Sequence, residues 1–210
     1  CTFIYGPPPA LLALARPLVA PPAGPAGPPA GTAGVGPAAA AARAPAPLGA
    51  GVLFNSGPAS RGMERIAGHE DVASEFIEAA VAAAKVWMLG DPRDDATTLG
   101  PVVRQRNADG IRAQLTRALE SGARPLLDAA AWAKDRADST YVAPQLLTNV
   151  DHSMALMADE TFGPCAGIMI VHNDDDAVRL MNDSAFGLTA SVWSADEVKV
   201  TKLAERLEAG

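Results

Sequence analysis

The stretch MADETFGPC, residues 157–165, is the part of the sequence from which the fold can be worked out. It lies between two apolar segments, Tyr141–Leu147 and Ala166–Val171, which the sequence predicts as strands. The pair Gly163-Pro164 is typical of a turn. Glu160, just before this turn, therefore belongs to a loop that two strands hold in place, where functional groups are commonly found.

Helical and strand-like segments alternate on both sides of this stretch. Such alternation indicates an α/β domain with a largely parallel sheet. The first predicted helix should be stopped by Gly90, and the second should turn Ile111, Leu115 and Leu119 inward. The predicted helices are Asp71–Leu89, Arg104–Ser121, Asp174–Asn182 and Asp196–Glu208, and the further strands are Arg124–Leu127 and Leu188–Trp193.

Charge and cysteine usage exclude several classes of partner. The net charge of −7 leaves no basic stripe for phosphates, so we expect no nucleic-acid partner. No apolar run approaches the length of a membrane span, and no membrane partner is expected. Two cysteines, Cys1 and Cys165, make no disulfide framework, which indicates a reducing, cytoplasmic location.

Residues 1–50 differ in composition from residues 51–210. They contain no Asp, Glu or Lys and hold most of the 18 prolines. We expect a low-complexity Pro/Ala/Gly-rich segment, disordered or polyproline-like, followed by a folded domain. The apolar run at 11–20 lacks the basic flank of a signal peptide, and no strand precedes the GVGPAA match at 34–39, so neither is given a function. A role of the prolines as a ligand for proline-binding domains has only composition behind it.

Five short segments in the folded part occur in a recognisable order. They read FNSG at 54–57, LGDP at 89–92, TLGP at 98–101, ETFGP at 160–164 and NDSAFGLTA at 182–190. From about Gly51 onward the chain resembles the aldehyde dehydrogenase superfamily, over less than half of a full-length member. The resemblance implies a three-layer α/β fragment of the catalytic domain, with residues 203–210 similar to the helix before the family's next strand.

The resemblance also implies a reaction. In the family, a cysteine thiolate adds to an aldehyde, a hydride passes to the nicotinamide of NAD or NADP, and water activated by a glutamate releases the acid. The implied cofactor is NAD or NADP, and the implied substrate is a small-molecule aldehyde. Family members are usually dimers or tetramers, so a homo-oligomer is implied where the full domain is present.

Three residues are implied to contact the cofactor. Glu160 matches the loop glutamate that holds the nicotinamide-side ribose hydroxyls, and Phe162 matches the aromatic residue near the nicotinamide. Asn107 falls where the family often has a glutamine near the cofactor. The alternatives are an exposed loop charge for Glu160, core packing for Phe162 and an exposed helix position for Asn107.

The segment that carries the family's nucleophile departs from the pattern. Ser60 stands where a cysteine is expected, Pro58 replaces a glutamine, and Asn55 keeps the place of the residue that supports this loop. A serine hydroxyl needs an adjacent base to attack, and none of the three histidines is placed by motif to serve it. We therefore expect the activity to be impaired or lost.

Most of the family's nucleotide-binding half is absent from this sequence, and the family's general base is missing as well. Its place falls in the Pro/Ala tract, and no glutamate precedes Glu64. The alternative function is therefore a non-catalytic pseudoenzyme or interaction module, and the change near Gly51 suggests a frameshifted or misjoined reading frame. Cys165 is expected to be a buried, inert thiol, and the acidic run 174–176 to be a solvated helix start.

Overall fold

A computed structural model describes residues 2–5, 51–53, 56–57, 62–194 and 196–209. The strands are β1 Thr2–Tyr5, β2 Arg65–His69, β3 Arg124–Pro125, β4 Gln145–Thr148, β5 Cys165–Val171 and β6 Ala190–Trp193. The helices are α1 Glu70–Lys85, α2 Gln105–Glu120, α3 Ala155–Ala158, α4 Asp174–Asn182 and α5 Glu197–Ala204, with a short 3₁₀ turn at Ala129–Ala131. None of the helices in these ranges has both the length and the apolar composition of a membrane-spanning segment.

The six strands form one sheet in the order β3-β4-β5-β2-β1-β6. Only the β3–β4 pair is antiparallel among the described strands, which confirms the predicted, largely parallel sheet. In the register of β2 and β5, Arg65 lies opposite Gly167. Because these two strands are parallel neighbours, the residues that precede them meet at one edge of the sheet.

Helices cover both faces of the sheet, as a three-layer architecture requires. Ile66 and Ile168 point to one face, where they share a buried cluster with the apolar side of α1, including Phe76. On the opposite face, Cys165 and Met169 pack with residues of α2 and α3, and Ala67 and Val171 pack with α4. Neighbouring residues of one strand thus alternate between the two helix layers.

The first predicted helix ends earlier than the sequence suggests. It stops at Lys85, not at Leu89, although no glycine or proline follows directly. The backbone N–H of Met88 instead donates to Thr98 Oγ1 at 2.8 Å, and Gly90 N–H donates to the Leu99 carbonyl at 2.9 Å. The backbone N–H groups of Met88 and Gly90 are therefore bonded to the TLGP segment, and the helix does not extend to them.

The strand predicted from Tyr141 is shortened for a similar reason. It begins at Gln145 and ends at Thr148. Arg112 on α2 donates to the Tyr141 carbonyl at 2.8 Å, and Asp135 accepts from Ala143 N–H at 2.9 Å. These side chains satisfy backbone groups that would otherwise pair in the sheet.

Other boundaries agree to within a few residues. Helix Asp174–Asn182 has the predicted ends, and Asn173 caps it by accepting from Asp176 N–H. Leu119, predicted to face inward on α2, is 43% exposed, whereas its neighbour Ala118 is buried. The strands at 124 and 190 are shorter than predicted, the last helix spans Glu197–Ala204, and β2 and α3 were not predicted at all.

The expectation for residues 1–50 needs one correction. Thr2–Tyr5 forms a parallel strand between β2 and β6, so these four residues are part of the sheet. Their sequence, TFIY, consists of β-branched and aromatic residues and contains no proline, which suits a strand. The rest of the Pro/Ala/Gly-rich segment, residues 6–50, lies outside the described residues.

Candidate functional site

The ETFGP loop, residues 160–164, lies at the edge of the sheet where β2 and β5 begin. It runs directly into Cys165, the first residue of β5. Gln145 N–H at the start of β4 donates to the Pro164 carbonyl at 2.9 Å, which fastens the end of the loop to the neighbouring strand. The sequence therefore places this loop correctly, between two strands and held by the sheet.

The centre of the loop has an unusual backbone conformation. Phe162 has a φ of 54°, in the left-handed region that costs a residue with a side chain about 1–2 kcal/mol. Glu64, the residue before β2, contacts this part of the loop. Its carboxylate accepts from Thr161 N–H at 2.9 Å and from Phe162 N–H at 2.7 Å.

The described part of the FNSG segment packs directly on the loop. Gly57 has a φ of 89°, and a Cβ added there would lie 2.0 Å from the carbonyl carbon and oxygen of Gly163. Ser56, with a φ of 61°, donates from its hydroxyl to the Gly100 carbonyl at 2.7 Å. Three of the five recognisable segments, FNSG, TLGP and ETFGP, therefore meet at this site although they are far apart in the chain.

Glu160 is the exposed acidic group of the loop. Its carboxylate takes part in no hydrogen bond or ion pair with the residues that the structure describes, so both oxygens can accept from a ligand. Phe162, two residues later, is half-buried, which agrees with either role considered for it. Judged from the described residues, the loop thus offers one unpaired carboxylate beside one aromatic ring.

Asn107 is exposed in the first turn of α2. Ile111, one helical turn later on the same side, lies under the loop, where a Cβ on Gly163 would come within 2.6 Å of its Cδ1. Asn107 therefore belongs to the helix that supports the loop. No contact between its side chain and the loop is seen among the described residues.

Two of the predicted site residues belong to the segment that carries the family's nucleophile. Ser60 and Asn55, together with Phe54 and Pro58, lie outside the described residues. Phe54 and Asn55 fall between the described residues Leu53 and Ser56, and Pro58 and Ser60 fall between Gly57 and Gly62. Of the described residues of this segment, Gly57 lies against Gly163 of the ETFGP loop.

Sequence reasoning assigned no site role to Glu64 and Arg65. Arg65 is 5% exposed and donates to the Met157 carbonyl at 3.2 Å and to Ser184 Oγ at 2.5 Å. Burial lowers the pKa of its guanidinium, although the nearby Glu64 carboxylate opposes this effect. Arg65 thereby links the NDSAFGLTA segment to the edge where the loop lies. One signal was available: Glu64 is the first acidic residue of the chain.

Cys165 is fully buried beneath the loop. Burial raises the pKa of its thiol far above the usual range, and the charge of Glu64 adds to the rise. A thiol that is neither ionised nor accessible is a poor nucleophile. This environment agrees with the inert role expected for Cys165.

The acidic run at the start of α4 is part of a network of ion pairs. Asp174 is paired with Lys199, Asp175 with Arg206 and Asp176 with Arg179. Across the described ranges, no three His, Cys, Asp or Glu side chains come together in a way that could hold a metal ion. The run is a capped and ion-paired helix start.

The sequence of this chain is similar to those of known proteins. Residues 34–210 match the model of the aldehyde dehydrogenase family, a match that begins within the segment expected to be disordered. The succinate semialdehyde dehydrogenase [NAD(P)+] Sad of Escherichia coli is 38% identical over 161 residues, covering 77% of this chain and 34% of that protein. The succinate-semialdehyde dehydrogenase [NADP(+)] of Deinococcus radiodurans is 32% identical over 160 residues, covering 76% and 33%.

Solved structures give the same result. Aldehyde dehydrogenase C of Pseudomonas syringae, solved with NAD+ and octanal, matches with a TM-score of 0.75 and 25% identity, covering 81% of this chain and 35% of that one. The chain spans about a third of the length of the curated relatives it matches. The matched third contains the ETFGP loop and the segments that pack on it.

Proposed function

Because the chain belongs to the aldehyde dehydrogenase family, we propose that its fold serves NAD(P)-dependent oxidation of an aldehyde to a carboxylic acid. We also propose that this reaction is impaired or lost in the chain itself, because Ser60 stands at the nucleophile position. The observation that carries the proposal is the exposed Glu160 carboxylate, presented on a loop that Glu64 and Gly57 hold in place. The names of the relatives range from succinate semialdehyde to vanillin dehydrogenase, so the substrate is proposed only as an aldehyde.

The residues of the loop fit the ribose end of a nicotinamide nucleotide. Two free carboxylate oxygens suit two neighbouring hydroxyl donors, and such charge-assisted hydrogen bonds are the stronger kind. Phe162 supplies an apolar surface two residues away. When bound, NAD(P) supplies the acceptor for the hydride, and Glu160, Phe162 and α2 with Asn107 are the parts of this chain that would hold it.

Loss of turnover follows from the residues at the nucleophile position. A serine hydroxyl is a weak nucleophile without an adjacent base. The family's general base precedes the nucleophile, whereas the first acidic residue of this sequence is Glu64. Pro58 also removes a backbone N–H from the segment that would face the developing oxyanion. The second candidate function, a non-catalytic pseudoenzyme or interaction module, is favoured by these same substitutions.

We expect no aldehyde-dependent formation of NADH or NADPH by the unmodified chain. The measurement is absorbance at 340 nm with succinate semialdehyde or octanal and either nucleotide. Ser60→Cys should restore no steady-state turnover, because without the base that activates water the acyl thioester stays on the enzyme after at most one hydride transfer per chain. Turnover by the unmodified chain would contradict the proposed loss, and turnover by Ser60→Cys alone would show that a base is present elsewhere.

Nucleotide binding tests the role of the loop separately from turnover. When NADH is titrated into the ¹⁵N-labelled chain, we expect the amide signals of residues 160–163 to shift. Glu160→Gln should weaken binding by roughly tenfold, which corresponds to one charge-assisted hydrogen bond pair. Glu75→Gln is the matched control, since it makes the same change at an exposed position on α1. Equal binding by both variants would refute the role of Glu160.

A further inference from the structure

We infer that Glu64 is the positioning residue of the ETFGP loop. It precedes β2, and the loop precedes β5, so the pairing of these two strands brings them together. The two oxygens of its carboxylate accept from two consecutive N–H groups of the loop, Oε2 from Thr161 and Oε1 from Phe162. Nothing else in the described chain accepts from these two groups.

The backbone at this point is built to receive an anion. Consecutive N–H groups next to a residue in the left-handed conformation form a concave site that favours negative charge. Phe162, with a φ of 54°, is such a residue. A carboxylate on the Glu64 side chain fills the site with one oxygen for each N–H. A glutamine could offer only one acceptor there, and an aspartate is one methylene too short.

The consequence concerns the neighbouring residue, Glu160. The loop is fastened by Glu64 at its centre, by contact with Gly57 at Gly163, and by Gln145 at Pro164. Glu160 is attached directly to this fixed part, yet its own carboxylate is exposed. Glu64 therefore sets where that carboxylate is presented. The identity of the ligand that Glu160 binds rests on the proposed function. The positioning of the loop by Glu64 does not.

Amide hydrogen exchange, measured by NMR on the ¹⁵N-labelled chain, tests the positioning directly. In Glu64→Ala, exchange at Thr161 and Phe162 should accelerate by at least about tenfold, because both lose a bond to a charged acceptor. Glu64→Gln should give a smaller acceleration with nearly the same side-chain volume. Exchange at Ile66 and Ile168, in the paired strands beside the loop, should stay unchanged. Unchanged exchange at Thr161 and Phe162, or equal acceleration at all four amides, would overturn the inference.

Titration with NADH separates positioning from direct contact. Glu64→Gln should weaken NADH binding although Glu160 is intact, whereas Glu160→Gln should weaken it without accelerating exchange at Thr161 and Phe162. If Glu64 only stabilised the domain, Glu64→Gln would neither weaken NADH binding nor accelerate exchange selectively at Thr161 and Phe162. If the unmodified chain shows no NADH shifts while the exchange result holds, the proposed function fails and the positioning role stands. If NADH binds but Glu64→Gln leaves both binding and exchange unchanged, the positioning role fails alone.

Discussion

Gly57→Ala is expected to destabilise the domain by at least about 3 kcal/mol and to separate two of its loops. The new Cβ would lie 2.0 Å from backbone atoms of Gly163 and 2.6 Å from Pro164 N, well inside van der Waals contact. No side-chain rotation can relieve this overlap, because the Cβ and its neighbours are all part of the backbone framework. A φ of 89° adds the strain of a left-handed residue with a side chain.

The matched control for this substitution is Gly110→Ala. Gly110 is exposed in the middle of α2, and a Cβ there meets nothing within 4 Å. The same change of residue should stabilise the domain by about 0.5–1 kcal/mol, since alanine favours a helix interior. Both variants are compared by urea unfolding followed by circular dichroism. A Gly57→Ala midpoint close to that of the unmodified chain would show that the two loops do not touch in solution.

Local signals explain which parts of the fold the sequence predicts well. Helix Asp174–Asn182 has the predicted ends because its start is encoded nearby, in the Asn173 cap and the acidic first turn. The ETFGP loop is predicted correctly because its Gly-Pro pair separates two apolar segments. Structural features that are determined by residues close in sequence can thus be predicted without a structure.

The errors arise where distant residues decide the outcome. Strand β2, with the sequence RIAGH, is buried along its whole length and so shows no alternation of polar and apolar residues. Arg65 also makes the segment look unlike a buried strand, because its hydrogen-bond partner, the Met157 carbonyl, lies 92 positions away in the chain. The strand predicted from Tyr141 is likewise cut short by Arg112, which lies 29 positions earlier.

The candidate site shows the same division. Glu160 and Phe162 could be proposed from motif alone, because the loop is continuous in sequence. Glu64 could not, because its contact with Thr161 spans 97 positions and depends on the pairing of β2 with β5. The positions of Ser60 and Asn55 stay predictions.

Phe76→Ala is also expected to destabilise the domain strongly, and it tests the core beneath this site. Among the described residues, Phe76 is the largest fully buried side chain. It shares a cluster with Ile66 and Ile168, on the two strands that follow Glu64 and the ETFGP loop. Truncating a buried phenylalanine costs about 3–5 kcal/mol, because apolar contacts are lost and a cavity remains. For a domain of this size the melting temperature should fall by roughly 10 °C.

The control for the cavity is Phe186→Ala, at a ring that is 44% exposed, where the loss should be below about 1 kcal/mol. Thermal melts followed by circular dichroism compare the two variants. Amide exchange at Thr161 and Phe162 in Phe76→Ala adds a second reading. If the Glu64 carboxylate fixes the loop, exchange at these two amides should accelerate no more than exchange at the strand amides, because only global unfolding becomes easier. A selective loss at the loop, with the strands still protected, would mean that core packing and not the Glu64 carboxylate holds the loop in place.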